Sequence, residues 1–192
     1  LKEIVILAGP NGAGKTTAAR KLLPKFTEIR EFLNADEFAR RIAPDSVGSA
    51  AFAAGRMLLK RMHELVDRNV SFGLETTLSG KSYVRLLKGC KQAGWRITVV
   101  YFWLPSPKDA IARVQRRVLA GGHGVPVEDI RRRYYAGLAN LVRLYTPLAD
   151  ELEIYDNSYK RALIASRGEG GILHLWDMKR WRKLRRAARQ ER

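Results

Sequence analysis

The chain carries one cysteine, Cys90, among 192 residues. A single thiol cannot build an intrachain disulfide framework or a thiolate metal cluster, so a reducing cytoplasm is the simplest setting. Long apolar runs are missing as well. None approaches the roughly 18 residues needed to cross a bilayer, so no membrane span is expected. No signal-peptide pattern is present. The chain starts at Leu1 rather than Met and is expected to be trimmed. Internal repeats and low-complexity linkers are absent, which suits one domain over residues 1–192. Acidic residues are scarce: nineteen Asp+Glu face thirty-six Lys+Arg, for a net charge of +17. Such an excess attracts polyanions (nucleic acid, acidic lipid or a phosphorylated substrate) or serves only solubility. Eight basic residues crowd into Lys179 to Arg192 against one acid, Glu191.

What is present begins at residue 9. Gly9-Pro10-Asn11-Gly12-Ala13-Gly14-Lys15-Thr16 fits the P-loop pattern G-x-x-x-x-G-K-[ST]. Glycines let successive backbone N–H groups turn inward around phosphate oxygens. Lys15 can reach the β- and γ-phosphates, and the Thr16 hydroxyl can ligate Mg²⁺. The apolar run Ile4 to Ala8 before it reads as a buried parallel strand, and Thr16 to Leu23 after it as a helix. Nucleoside triphosphate binding is the expectation.

Strand-like and helical stretches then alternate, which implies an α/β fold with a parallel sheet flanked by helices. Strands are expected at 2–8, 31–34, 70–75, 96–104 and 152–155. Helices are expected at 16–23, 36–43, 50–68, 81–93, 107–119 and 126–145, with Met57, Leu58, Met62, Leu65 and Val66 forming the inner face of the third. Pro44 to Ser49 reads as a loop. Residues 162–166 and 172–176 read as a hairpin. The tail, about 177–192, reads as a basic helix whose Trp181, Leu184 and Ala188 dock on the body, beyond every site motif.

Ligands of open parallel sheets bind beyond the carboxyl ends of the strands. Two strand ends carry acids: Asn34-Ala35-Asp36-Glu37 and Leu74-Glu75-Thr76-Thr77. Asp36 is the candidate base that takes the proton of an attacking hydroxyl; the alternative is a helix N-cap. Glu75, Thr76 and Thr77 offer an acceptor and hydroxyls to a polyol or amide substrate, or end a strand in solvent. Glu37 reads as an exposed first-turn acid. The most strongly β segment, Arg96 to Leu104, ends without Asp or Glu. That gap argues against a motor or transporter ATPase.

Arg113, Arg116 and Arg117 recur at i, i+3 and i+4. The glycine loop Gly121-Gly122-His123-Gly124 separates them from Arg131-Arg132-Arg133. Helix, flexible loop and helix, over about 105–145, make a lid that brings arginines to a triphosphate, or a solvated basic hairpin. Val118 and Ile130 are expected to face the core, which leaves Arg117 and Arg133 to point inward.

The ordered set of residues resembles the zeta-toxin family of P-loop kinases. It comprises Ala8 through Thr17, Asn34-Ala35-Asp36, Glu75-Thr76-Thr77, Arg113 through Arg117, Gly121-Gly122-His123, Arg131 through Tyr134 and Tyr155-Asp156-Asn157-Ser158. The resemblance implies a nucleotide-kinase-like fold and transfer from ATP to the 3′-hydroxyl of the amino sugar of UDP-N-acetylglucosamine. It implies ATP and Mg²⁺ on Gly9 through Thr17, with Arg113 added to the nucleotide contacts. Asp36 matches the family's base, Glu75 its amino-sugar contact, and the lid arginines its phosphate-stabilising pair. An antitoxin is the partner such a protein could have. Two departures touch the sugar pocket: Ala43-Pro44 stands for the family's His-Pro, and Glu-Thr-Thr for Glu-Gly-Thr. The alternative is a nucleic-acid-directed protein, a 5′-hydroxyl polynucleotide kinase or an ATP-gated RNA binder, using the basic surface and the Trp176/Trp181 tail.

Overall fold

The computed structural model describes residues 1–26, 28–43, 50–169 and 171–190. The loop expected at Pro44 to Ser49, including Pro44 of the departure noted above, lies outside the described residues, as do the last two residues of the tail. A seven-stranded sheet runs in the order β2-β3-β1-β4-β5-β6-β7. Its strands are β1 (Glu3–Ala8), β2 (Glu31–Asn34), β3 (Phe72–Thr76), β4 (Arg96–Trp103), β5 (Glu151–Asp156), β6 (Ala162–Arg167) and β7 (His174–Leu175). The first five are parallel; β6 and β7 add an antiparallel hairpin at one edge. The helices are α1 (Lys15–Leu22), α2 (Ala35–Ile42), α3 (Ala51–Asp67), α4 (Val84–Gln92), α5 (Pro107–Leu119), α6 (Val127–Asn140), α7 (Thr146–Leu148) and α8 (Met178–Ala188).

The continuous apolar run of β1 is explained by burial on both faces. Ile4, Ile6 and Ala8 join the core under α3, α4, α6 and α8, whereas Val5 and Leu7 join the core under α1 and α5. This is the expected pattern for a central parallel strand. Helix starts follow local chemistry. Ser106 accepts from Asp109 N at 3.3 Å, with Pro107 in the first turn of α5. Gly94, at φ +79°, follows the end of α4 as the sequence implied.

Three expectations need correction. The helix over 126–145 divides: α6 stops at Asn140, a wider turn spans Leu141–Tyr145, and α7 follows. Pro147 has no N–H to continue the ladder, and the Thr146 hydroxyl donates to the Leu141 carbonyl at 2.8 Å. On α3 the inward stripe is Ala54, Leu58, Met62 and Leu65, whereas Met57 is half-exposed. On α5 the core residues are Ala110 and Val114; Val118 faces solvent near the end of the helix, while Ile130 of α6 is buried as expected.

Candidate active site

The P-loop is wedged between two neighbouring strands of β1. Gly9 sits at φ +146°, and a Cβ there would collide with the Phe102 carbonyl oxygen of β4. Its N–H donates to the Thr76 carbonyl of β3 at 3.2 Å. The loop ends at Gly14, which precedes α1 with φ 82°. Lys15 opens that helix nearly buried, and its Nζ donates to the Pro10 carbonyl at 3.0 Å. Burial lowers its pKa from the ordinary lysine value, against the opposing pull of the Glu75 and Asp36 carboxylates. Arg117 and Arg133 lower it further. Four residues singled out in the sequence at widely separated positions thus act on one ammonium group.

The register of the sheet explains the convergence. Glu75 pairs with Leu7 of β1 on one side and with Asn34 of β2 on the other. The Thr16 hydroxyl donates to both oxygens of Glu75, at 3.1 and 3.0 Å. Burial raises the Glu75 pKa above the ordinary carboxylate value; the Lys15 charge and the Thr16 hydrogen bond oppose the rise. The sequence places an acid-free end on β4, and the structure agrees. Yet β1 has a second neighbour, β3, and the acid sits at its end, against the P-loop threonine. The absence of an acid after β4 therefore excludes no class of NTPase.

Asp36 is not a helix cap. Asn34 caps α2, its Oδ1 accepting from Asp36 N at 2.8 Å. The Asp36 side chain is exposed and lines a cleft of about 480 Å³, together with Lys15, Glu75, Thr76, Thr77 and Arg133. Ala39, Ala51 and Gly55 form a small-residue wall of the same cleft. Glu37 is exposed, as expected.

The floor of the cleft is fastened to α6 by residues that sequence reading missed. Gly137 of α6 presses on loop 76–79 so closely that a Cβ would collide with the Thr77 carbonyl oxygen. One turn on, Asn140 is buried, and its Nδ2 donates to the Leu78 carbonyl at 2.7 Å. Leu78 itself is at φ 59°, a left-handed conformation that a bulky residue adopts at a cost. Its N–H donates to the Thr76 hydroxyl at 3.1 Å, and the Thr77 and Ser79 hydroxyls lie 2.9 Å apart. Arg133, one turn before Gly137 on the same helix, is thereby carried over the cleft. A glycine inside an otherwise helical pattern was the only signal available in the sequence.

The arginines separate by direction. Arg131 pairs with Glu128 at 3.1 Å and Arg132 with Asp129 at 2.8 Å, both at the exposed surface. Arg133 is half-buried and 3.8 Å from Asp129. Arg117 lies across Gly122, where an added Cβ would come within 2.6 Å of its Cγ. Arg113 turns instead to backbone oxygens: Gly12 at 3.5 Å, Asn157 at 2.8 Å, and Ser158. Asn157 Nδ2 donates to the Ala13 carbonyl at 2.7 Å, which ties the loop after β5 to the P-loop. A second cleft, about 550 Å³, opens there beside Asp109, Arg113, Arg116, Ser158 and the exposed Tyr159. Among the described residues no group of three or more His, Cys, Asp or Glu side chains could hold a metal alone, and no helix is long and apolar enough to cross a membrane.

The family profile described as an AAA domain matches residues 4–137, from β1 into α6. A protein of Haemophilus influenzae is 28% identical over 134 residues, 69% of this chain and 92% of that protein. Among solved structures, the AvrRxo1-ORF1:-ORF2 complex with ATP superposes with a TM-score of 0.74 at 17% identity, over 96% of this chain and 63% of that one. The PezAT chromosomal toxin–antitoxin system of Streptococcus pneumoniae superposes with a TM-score of 0.60 at 16% identity, over 100% of this chain and 88% of that one. The chain thus spans less than two thirds of the first of these structures. At such identities the likeness is one of fold: a mostly parallel sheet flanked by helices around a P-loop.

Proposed function

The chain belongs to the AAA domain family, and from that premise we propose that it is an ATP-dependent kinase of the zeta-toxin type acting on a hydroxyl of a nucleotide-sugar such as UDP-N-acetylglucosamine. The observation that carries the reading is the meeting of Asp36 and Glu75, from the ends of β2 and β3, with Lys15 in one cleft. An ATPase that only hydrolyses needs a held water. A kinase needs a base facing an open acceptor volume, and the cleft beside Asp36 supplies one.

In this reading the P-loop backbone and Lys15 hold the β- and γ-phosphates. The nucleoside half extends past Gly12 and Ala13 into the cleft of Arg113, Ser158 and Tyr159. Asp36 accepts the proton of the acceptor hydroxyl. Arg117 and Arg133 stabilise charge on the transferring phosphoryl group as the lid closes. The residues fit Mg²⁺: Thr16 and Glu75 present three oxygens at the phosphate end, and magnesium is usually bound by one or two protein groups plus substrate phosphates. When bound, the ion neutralises charge between the phosphates. Thr77 and the hydroxyl-rich loop after it face the acceptor, with Ala39, Ala51 and Gly55 leaving room opposite.

The similarity to PezAT, a toxin–antitoxin system, supports an antitoxin as partner. The +17 charge favours a second reading, a 5′-hydroxyl polynucleotide kinase. Incubation with γ-labelled ATP and a panel of UDP-sugars, nucleotides and 5′-hydroxyl oligonucleotides separates the two. Label on a UDP-sugar supports the first reading, label on oligonucleotide 5′-ends the second, and release of phosphate alone contradicts both.

A further inference from the structure

The basic C-terminal helix reads in sequence as an appendage beyond the site. Its first turn is joined to it. Asp156, the last residue of β5, is only 3% exposed. Its Oδ1 accepts from the Ser158 N–H at 2.9 Å and from the Ser158 hydroxyl at 2.6 Å. Its Oδ2 accepts from Arg180 Nε of α8 at 2.7 Å. Arg180 is held in turn by Asp177, whose Oδ2 lies 2.6 Å from the guanidinium and whose Oδ1 caps α8. On the other side of the same turn, the Asn157 and Ser158 carbonyls receive Arg113, and Asn157 reaches the P-loop at Ala13.

The order of contacts is therefore Arg180, Asp156, Ser158, Arg113. A carboxylate this buried is costly without a cation. Without Arg180, the Asp156 carboxylate loses its cation and turns toward water, which disturbs the oxygens that set the Ser158 turn. Arg113 then loses two fixed acceptors. Lys15 and Thr16 stand outside this chain of contacts, held by Pro10 and Glu75.

We infer that Arg180 is a positioning residue for the nucleoside end of the ATP site: it neutralises Asp156, and thereby fixes the turn that orients Arg113. The inference rests on the reading that ATP occupies the P-loop with its nucleoside half beside Arg113 and Ser158. It separates two parts of one ligand: the turn touches the P-loop at the Gly12 and Ala13 carbonyls, but Lys15 and Thr16 are fastened by Pro10 and Glu75, so the nucleoside half depends on Arg180 far more than the triphosphate half does.

Titration calorimetry with Mg·ATP and, separately, Mg·tripolyphosphate tests it on the full chain. Arg180→Met is expected to raise the Kd for ATP about tenfold, roughly 1.4 kcal/mol. Its Kd for tripolyphosphate stays within about twofold, below the scale of a lost charged hydrogen bond. Arg182→Met removes the same charge from the exposed face of the same helix and leaves both constants unchanged. Arg180→Lys recovers part of the loss. Should Arg180→Met fold poorly, Asp156→Asn with Arg180→Met removes the uncompensated charge while keeping an acceptor for Ser158, and recovers ATP affinity. Equal losses for both ligands, equal effects of the Arg180 and Arg182 variants, or an unchanged ATP affinity in Arg180→Met would overturn the inference. A wild-type protein that binds tripolyphosphate but gains nothing from the nucleoside also overturns it. Wild-type protein that binds neither ligand removes the kinase reading itself, and the inference with it.

Discussion

The hydroxyl of Thr16 donates to both carboxylate oxygens of Glu75, at 3.1 and 3.0 Å, across 59 residues of sequence. The contact joins the P-loop helix to the end of β3 and gives Glu75 a place at the P-loop end of the cleft that Asp36, Thr76 and Thr77 also line. Because burial raises its pKa above the ordinary value of 4.5, Glu75 in the free protein gains its proton at a higher pH than a solvated carboxylate. The sign follows: the ionised form, which can hold Mg²⁺ or a metal-bound water, is lost as pH falls through that raised value. kcat/KM for ATP is expected to show an acidic limb whose midpoint lies above 4.5. Glu75→Gln should move the limb to lower pH and lower the plateau by about 10²-fold, the scale of a lost electrostatic contact in the transition state. A pH–rate profile of both proteins measures this, and an unshifted acidic limb in the variant assigns it elsewhere.

Asp36→Asn is expected to leave ATP affinity nearly unchanged and to slow transfer by at least about 10²-fold, the usual scale for a lost general base. Since Asn34 caps α2, the substitution should leave thermal stability unaltered. Single-turnover transfer and Tm measured together decide it: unchanged turnover would reduce Asp36 to a surface carboxylate.

Gly137→Ala puts a methyl group against the Thr77 carbonyl, with backbone on both sides of the contact. A loss of ~1–3 kcal/mol in stability is expected, as for other overpacked sites. Loop 76–79 must shift to make room, so KM for the acceptor should rise more than KM for ATP. Equal changes in the two would mean that the loop does not belong to the acceptor site.

If oligonucleotides bind, the outer face of α8 is one place where the charge for it lies. Arg182, Arg186 and Arg189 are exposed. Replacing all three by Gln should flatten the slope of log Kd against log salt by about 2, given roughly 0.7 per phosphate for single strands, while labelled-phosphate transfer to a small acceptor persists. A slope that does not move places nucleic-acid binding on another face, or nowhere.

Local chemistry made the elements legible. Ser106-Pro107 and Ala120-Gly121 bracket α5, and the unbroken apolar run Ile4 through Ala8 marks a strand buried on both sides. The P-loop carried its own geometry in its glycines. Strand order was not legible, because nothing in Arg96 to Leu104 or Phe72 to Thr76 says which of them lies on either side of β1. The acid beside the P-loop threonine therefore stands on β3, the neighbour of β1 that the acid-free end of β4 does not speak to. Asp36 and Arg133 line the cleft of Lys15, and Arg117 acts on the same ammonium group, a convergence that residue type and spacing implied; their catalytic roles are what the proposed function adds. Asn140, Leu78 and the Arg180–Asp156 pair were missed because their meaning lies in contacts 24 or more residues apart. The expectation that the tail lies beyond every site motif left out the contact of Arg180 with Asp156 for the same reason.

The central claim is transfer of the γ-phosphoryl group from a P-loop-bound triphosphate to a hydroxyl. It is tested most directly by γ-labelled ATP with a UDP-sugar, comparing the wild-type chain with Lys15→Ala. Lys15 acts on charge that develops during transfer, so its loss should fall mainly on kcat. The account predicts label covalently attached to the sugar by the wild-type protein and none above background with the folded variant. Wild-type turnover by a folded Lys15→Ala protein would contradict it.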